Sequence, residues 1–195
     1  MNTPYMGTFR ITKLYGTLPP AGVHYSAGKH SGIDLVGTAK EVRAVKGGTV
    51  YRASTDPDGW GKYIVIQQTD GLFAIYCHLN KILTAAGRAV TAGQWIGNEG
   101  ATGQVTGQHL HFELRKTYGD KYSTIDPAKY LGLKNKVGTA EVSEMQKDIK
   151  INLNGKDKTV AAIESDGFNY VRLQDLRDSK IDIGYKDGKP TVTVK

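Results

Sequence analysis

A mainly β fold with a small α+β tail is predicted for this chain by three observations. Twenty-four glycines divide its 195 residues into short pieces, and few long apolar runs of helical period join them. Segments of strand length lie between turn signals such as Asp56-Pro57-Asp58-Gly59 and Thr69-Asp70-Gly71. Near the carboxy terminus, two hairpin-like pairs flank a stretch whose apolar spacing suits a short helix.

In chain order, Arg10-Ile11-Thr12 opens the first domain, and a Pro/Gly-containing loop, Leu18 to Gly28, leads to His30-Ser31-Gly32-Ile33-Asp34. The glycines of this segment mark it as irregular. Strands are predicted at 41–45, 48–52, 63–67, 73–78 and 109–115, an antiparallel pattern. The first domain is placed at 1–132, a linker at 133–145 and a second domain at 146–195. In the second, 149–156 runs into an Asn154-Gly155 hairpin turn with 159–163 returning. Asn169 to Arg177 spaces Val171, Leu173 and Leu176 as a short helix. Strands 181–185 and 191–194, joined through Lys186-Asp187-Gly188-Lys189, complete a ββαββ unit.

Composition narrows the function classes. No stretch approaches the about 18 to 20 continuous apolar residues of a membrane span, so no membrane partner is expected. The start, Met1-Asn2-Thr3-Pro4-Tyr5-Met6-Gly7-Thr8, has neither a basic region nor an apolar core, and no signal peptide is expected. Cys77 is the single cysteine, which excludes an intramolecular disulfide, and strand alternation turns it away from His78 as a packed thiol. That alternation also argues against a Cys-His nucleophile pair. Residues 1–137 hold 16 Lys and Arg against 9 Asp and Glu, whereas 138–195 hold ten of each, so the whole +7 excess sits on the first part. Such a charge favours encounter with polyanions. Nucleic acid is not expected, because no helix-turn-helix, aromatic-studded RNA-binding motif or zinc-finger spacing is present.

The chemistry concentrates in the histidines. Gly107-Gln108-His109-Leu110-His111-Phe112-Glu113-Leu114 alternates as a half-buried strand, so His109 and His111 share one face while Leu110, Phe112 and Leu114 anchor the other. His30 and Asp34, four residues apart, add an imidazole and a carboxylate, and His78 lies in Tyr76-Cys77-His78-Leu79. A catalytic zinc takes three nitrogen or oxygen ligands and keeps one position for water, a count that two histidines and one aspartate meet. Taken singly, Asp34 reads as a turn carboxylate and His78 as a hydrogen-bonded strand histidine; occurring together, the motifs favour a metal site. His24 falls outside them as a loop residue, and Glu113 shares the histidine face as a groove-wall or hydrogen-bonding residue.

In this order HSGID, YCHL and GATGQVTGQHLHFEL resemble the lysostaphin-type zinc endopeptidases of peptidoglycan, the M23 or LytM family. Gly59-Trp60-Gly61-Lys62-Tyr63-Ile64-Val65-Ile66 and Ala92-Gly93-Gln94-Trp95-Ile96-Gly97 extend the likeness across roughly residues 7 to 130. The resemblance implies an antiparallel β-sheet with its metal in an open groove. It also implies one zinc ion on His30, Asp34 and His111, with His78 and His109 as catalytic histidines. Two departures stand at Gln68, where the family often has histidine, and Gln108, where it often has proline. Neither is a ligand in the pattern. The chain has no HExxH glutamate, so the motif-borne bases are His78 and His109. The expectation is that His109 orients and deprotonates water, while His78 stabilises the oxyanion or protonates the leaving amine.

The implied partner is peptidoglycan, with anionic wall polymers such as teichoic acids matching the basic first part. The arrangement resembles a bacteriophage endolysin, made in the host cytoplasm and released to the wall by a holin; a bacterial autolysin or virion-associated lysin is the alternative. A non-catalytic LytM-like scaffold or amidase activator is the rival of another class. The tail, through INLNGK and NYVRLQDL, resembles copper-amine-oxidase N-terminal-like domains, without histidine or cysteine to imply copper. It is a candidate wall-binding, dimerisation or stabilising module.

Overall fold

Short apolar stretches punctuated by turns pair here almost wholly as antiparallel strands. The computed structural model describes residues 3–22, 24–141, 146–153, 156–165, 168–171, 181–186 and 189–194. Two units result, Met1–Val142 and Ser143–Lys195. In the first, the elements are β1 (Thr8–Lys13), β2 (Ile33–Gly37), β3 (Glu41–Arg43), β4 (Gly48–Asp56), β5 (Gly61–Gln68), β6 (Phe73–Leu79), β7 (Lys81–Ile82), β8 (Ala89–Val90), β9 (Trp95–Asn98), β10 (Leu110–Arg115), β11 (Thr124–Ile125), α1 (Pro127–Tyr130) and β12 (Gly138–Glu141).

A nine-stranded sheet runs β12-β1-β2-β10-β6-β5-β4-β8, with β11 pairing β10 off the path. A small sheet runs β3-β9-β7. Phe9, Ile11, Ile33, Leu35, Ile64, Ile66, Tyr76, Leu110, Phe112 and Leu114 of the large sheet join Val42 and Ile96 of the small one in a single core. Each such side chain, taken fully out of water, contributes about 1.5–3 kcal/mol. Proline at the first position of α1 and an Asp126 cap, whose carboxylate accepts from the Ala128 and Lys129 N–H groups, start the helix after β11.

Three expectations change. The HSGID segment is irregular only through Gly32, because Ile33 and Asp34 already lie in β2. The strand carrying His111 was expected to be half-buried, but all six residues of β10 are buried. Its polar face, His111, Glu113 and Arg115, is closed over by hydrogen bonds and by Trp60 instead of facing water. Within the expected linker 133–145, Gly138–Glu141 adds to the sheet as β12, pairing antiparallel with the edge of β1. Backbone groups left open on that edge find partners this way.

The second unit contains β13 (Gln146–Leu153), β14 (Lys156–Ser165), β15 (Phe168–Val171), β16 (Ile181–Lys186) and β17 (Lys189–Val194). They form a three-stranded sheet, β13-β14-β15, and the pair β16-β17. Leu153 pairs with Lys156, which leaves a two-residue connection at the expected Asn154-Gly155 turn, itself outside the described residues. Where helical spacing was read from Asn169, residues through Val171 instead pair with β14, and the rest of that expected helix lies outside the described residues. Among the described residues, no helix is long and apolar enough to cross a membrane.

Candidate metal centre

The sheet order places β10 between β2 and β6, bringing segments near residues 30, 78 and 110 together. Asp34 and His111 are direct partners across β2 and β10. His30 reaches them from the loop before β2, its N–H donating to the Thr17 carbonyl and its own carbonyl accepting from Gly16. Gly32 is required by closeness: a Cβ there would lie 2.3 Å from the Phe112 carbonyl and 2.9 Å from His111 Nε2.

The three side chains meet at one point. His30 Nε2 lies 3.0 Å from Asp34 Oδ1 and 3.1 Å from His111 Nδ1, and His111 Nδ1 lies 2.9 Å from the same Oδ1. Ligand atoms on a tetrahedral zinc, each about 2.0–2.2 Å from it, sit about 3.3–3.5 Å from one another, so a slight spreading accommodates the ion. Among the described residues these three form the group able to hold a metal. All three are buried, whereas His24, the spare histidine that would close a four-ligand structural site, is exposed and outside the group.

Hydrogen bonds orient each ring. His30 Nδ1 donates to the Leu14 carbonyl at 2.8 Å, leaving Nε2 for the centre. His111 presents Nδ1 to the centre and turns Nε2 to Glu113 Oε2 at 3.4 Å. That carboxylate also accepts from Ser31 Oγ at 2.6 Å and is paired with Arg115, whose guanidinium donates to the Tyr118 carbonyl and lies over Trp60. Glu113 thus supports His111 and stands outside the ligand group. Burial works against charge on His111, but Asp34 and Glu113 outweigh it and raise its pKa to about 9. Burial likewise opposes ionisation of Asp34, yet hydrogen bonds from His111 and His30 hold its carboxyl well below the usual range.

His78 and His109 flank the group. His109 lies just before β10, its N–H donating to the Gly100 carbonyl and its Nδ1 to the Gly107 carbonyl. Its Nε2 is 3.7 Å from Asp34 Oδ1, and its ring centroid is 4.9 Å from that of His78. His78 has φ 63°, the left-handed conformation that non-glycine residues seldom adopt. The pairs Lys62–Leu79 and Ile64–Tyr76 bracket it, so Cys77 and His78 together oppose Tyr63 in a bulge. The bulge corrects the expectation that alternation turns Cys77 away from the histidine side. Cys77 pairs with His111 and packs with Tyr63, Val65 and Ile75, while the kink brings the His78 ring within 6.0 Å of that of His111. Burial raises the Cys77 thiol well above its usual pKa, as befits a packed thiol. Burial first, and then His111, lower His78 to about 4.

Gln68 hydrogen-bonds Tyr130 and Gln108 reaches the Glu99 carbonyl, so neither departure from the family pattern enters the group. Residues 28–127 match the profile of peptidase family M23. The chain belongs to that family. This M23 chain is 36% identical over 124 residues to the glycyl-glycine endopeptidase ALE-1 of Staphylococcus capitis, covering 61% of itself and 33% of that protein. It spans 13% to 33% of the length of three curated relatives it matches. The catalytic domain of the antimicrobial peptidase lysostaphin from Staphylococcus simulans matches with a TM-score of 0.57 at 30% identity, over 64% of this chain and 92% of that one. A zinc-containing peptidase from Vibrio cholerae matches with a TM-score of 0.50 at 31% identity, over 60% and 36%.

Sequence reasoning missed several neighbours of the M23 centre. Lys13 pairs with Asp34 across β1 and β2, places Nζ 4.0 Å from Asp34 Oδ2 and donates to the Tyr25 hydroxyl. Ser31 and Thr102 also hold site residues. Ser31 and Thr102 stand inside the quoted motifs, which was the available signal; Lys13 and Tyr25 stand in no motif.

Proposed function

We propose that this M23 chain is a zinc metalloendopeptidase that cuts peptide bonds in the cross-bridges or stems of bacterial peptidoglycan. The observation that carries the reading is the convergence of His30, Asp34 and His111, with two further histidines beside them. Members of the family are metallopeptidases acting on peptidoglycan, and the donor set suits zinc. Zinc held by these three residues supplies a Lewis acid for the scissile carbonyl and a water acidified to a pKa of about 7.

The remaining work falls to the chain. His109, with Nδ1 donating to the Gly107 carbonyl, keeps Nε2 to orient the attacking water and accept its proton. His78 stabilises the developing oxyanion or hands a proton to the leaving amine. Glu113 and the Leu14 carbonyl hold the two histidine ligands in their metal-binding orientations.

The excess positive charge of residues 1–137 suits anionic wall polymers as an additional partner. We extend the reading to a bacteriophage endolysin, in which one basic catalytic unit is joined to a small β unit that serves wall binding, dimerisation or stability. Co-expression with a holin tests it: lysis only when both are present supports the endolysin, and lysis without the holin points to another export route.

Purified walls of several Gram-positive chemotypes, digested with and without a chelator, test the hydrolase reading. New peptide amino termini in the mass spectrum, abolished by chelation and restored by zinc, are expected. Undiminished cleavage under full chelation, or no new termini from any wall, overturns it.

A further inference from the structure

Thr102, in the loop after β9, is fastened at both ends of its residue. Its Oγ1 accepts from the Lys62 N–H at 2.9 Å and donates to the Leu79 carbonyl at 2.8 Å. Lys62 and Leu79 are the strand partners bordering the bulge that contains His78. The Thr102 carbonyl accepts from His78 Nδ1 at 3.0 Å. One hydroxyl therefore spans the mouth of the bulge, and the carbonyl of the same residue holds the ring that the bulge presents.

The surrounding backbone leaves little room for another arrangement. Gly61, at φ +61°, approaches so closely that a Cβ would lie 2.2 Å from the Thr102 carbonyl oxygen; one on Gly103 would lie 2.3 Å from Gly61 N. At the other end of the segment, the buried Glu99 carboxylate accepts from the Gly37 N–H, from Lys40 and from the Tyr5 hydroxyl. Between these anchors, Gly100 accepts the His109 N–H. The strap from Glu99 to Gly103 thus carries a backbone acceptor for each of the two flanking histidines.

We infer that Thr102 is a positioning residue that sets the tautomer and orientation of His78 for proton transfer. This rests on the zinc-peptidase reading. A carbonyl oxygen has no proton to give, so Nδ1 of His78 carries the hydrogen and Nε2 becomes the nitrogen that gains or releases one. Either proposed role of His78 then runs through Nε2, which first takes up a proton, giving an imidazolium whose Nδ1–H stays on the Thr102 carbonyl, and only then donates to the oxyanion or the leaving amine. Loss of the Oγ1 clamp frees the loop from both bordering strands, and the carbonyl with it.

Thr102→Val removes the clamp at nearly constant volume, and Thr102→Ser keeps it. With zinc content and KM unchanged, kcat of the valine variant is expected to fall about 10- to 100-fold, and serine restores it. Long-range proton–nitrogen NMR should show His78 as the Nδ1–H tautomer in the native protein and as a mixture in Thr102→Val. Native kcat in the valine variant, an Nε2–H tautomer in the native protein, or equal losses of zinc, melting temperature and kcat without serine rescue overturns the inference. A native protein that shows the Nδ1–H tautomer and its loss in Thr102→Val, yet cuts no wall, sinks the peptidase reading while supporting the coupling.

Discussion

At the scale of single residues, the centre separates the three converging groups from the two flanking histidines proposed to react. His30 and His111 each spend one ring nitrogen on a fixed acceptor and present the other to Asp34. His30→Ala or His111→Ala is expected to abolish stoichiometric zinc binding, read by metal analysis after dialysis. His109→Ala is expected to keep the metal and lower kcat about 10²- to 10⁴-fold, the usual contribution of a general base. Full activity in that variant would remove His109 from the mechanism. Glu113→Gln tests the support behind His111: zinc affinity should weaken about 10- to 100-fold in a competition titration, and unchanged affinity would show that the contact at 3.4 Å does no orienting. The five central residues were legible because four of five histidines fall in three compact motifs. Lys13 and Tyr25 were not, since they stand in no motif and reach the centre through strand pairing and a side-chain hydrogen bond, and Thr102 stood inside a motif without any sign of the loop packing that sets it against His78.

At the scale of elements, two devices shape the centre: the close crossing of Gly32 under β10 and the bulge at His78. Gly32→Ala should lower stability by about 1–3 kcal/mol, as overpacking does, and weaken zinc binding because the clash falls on Phe112 and His111. A native melting curve with native zinc affinity would count against that crossing. Away from the centre, Asp70 accepts from the Tyr130 hydroxyl at 2.7 Å and pairs with Lys46 at 3.2 Å. Burial opposes its charge, but Tyr130, the Leu72 N–H and Lys46 outweigh it and lower its pKa. A carboxylate depressed on folding stabilises above its unfolded pKa of about 3.9 and loses that contribution as pH falls through the folded value. Asp70→Asn should therefore melt below the native protein at pH 7, with the gap closing under about pH 4; a gap constant with pH would exclude Asp70 as its source. The alternation in His109 to Arg115 foretold a strand with two unlike faces, but not that the polar face is buried. A Glu–Arg pair covered by an aromatic ring reads, in sequence, like a solvated one.

For the whole molecule, charge and fold act together. The first unit buries one continuous core between its large and small sheets and carries the candidate centre on strands in the middle of the large one. The excess of cations in residues 1–137 predicts salt-sensitive adsorption to walls, since screening shortens from about 10 Å at 0.1 M to about 3 Å at 1 M salt. Binding to walls carrying teichoic acids should weaken steeply across that range in a sedimentation assay, and walls stripped of them should show little dependence. Equal dependence on both would place the attraction elsewhere.

The amino-acid order alone determined the β class, the approximate positions of the strands at 48–52, 63–67, 73–78 and 109–115, and the candidate residues His30, Asp34, His78, His109 and His111. These depend on local alternation, turn residues and the rarity of histidine, all of which survive in a linear string. Tertiary structure decided which strands are neighbours, which nitrogen of each histidine faces the centre, and that His78 leaves the regular strand. Strand neighbours depend on contacts between distant segments, and even the nearby acceptors that orient the rings, such as the Leu14 carbonyl and Glu113, are set against them by the closing of the sheet around its core.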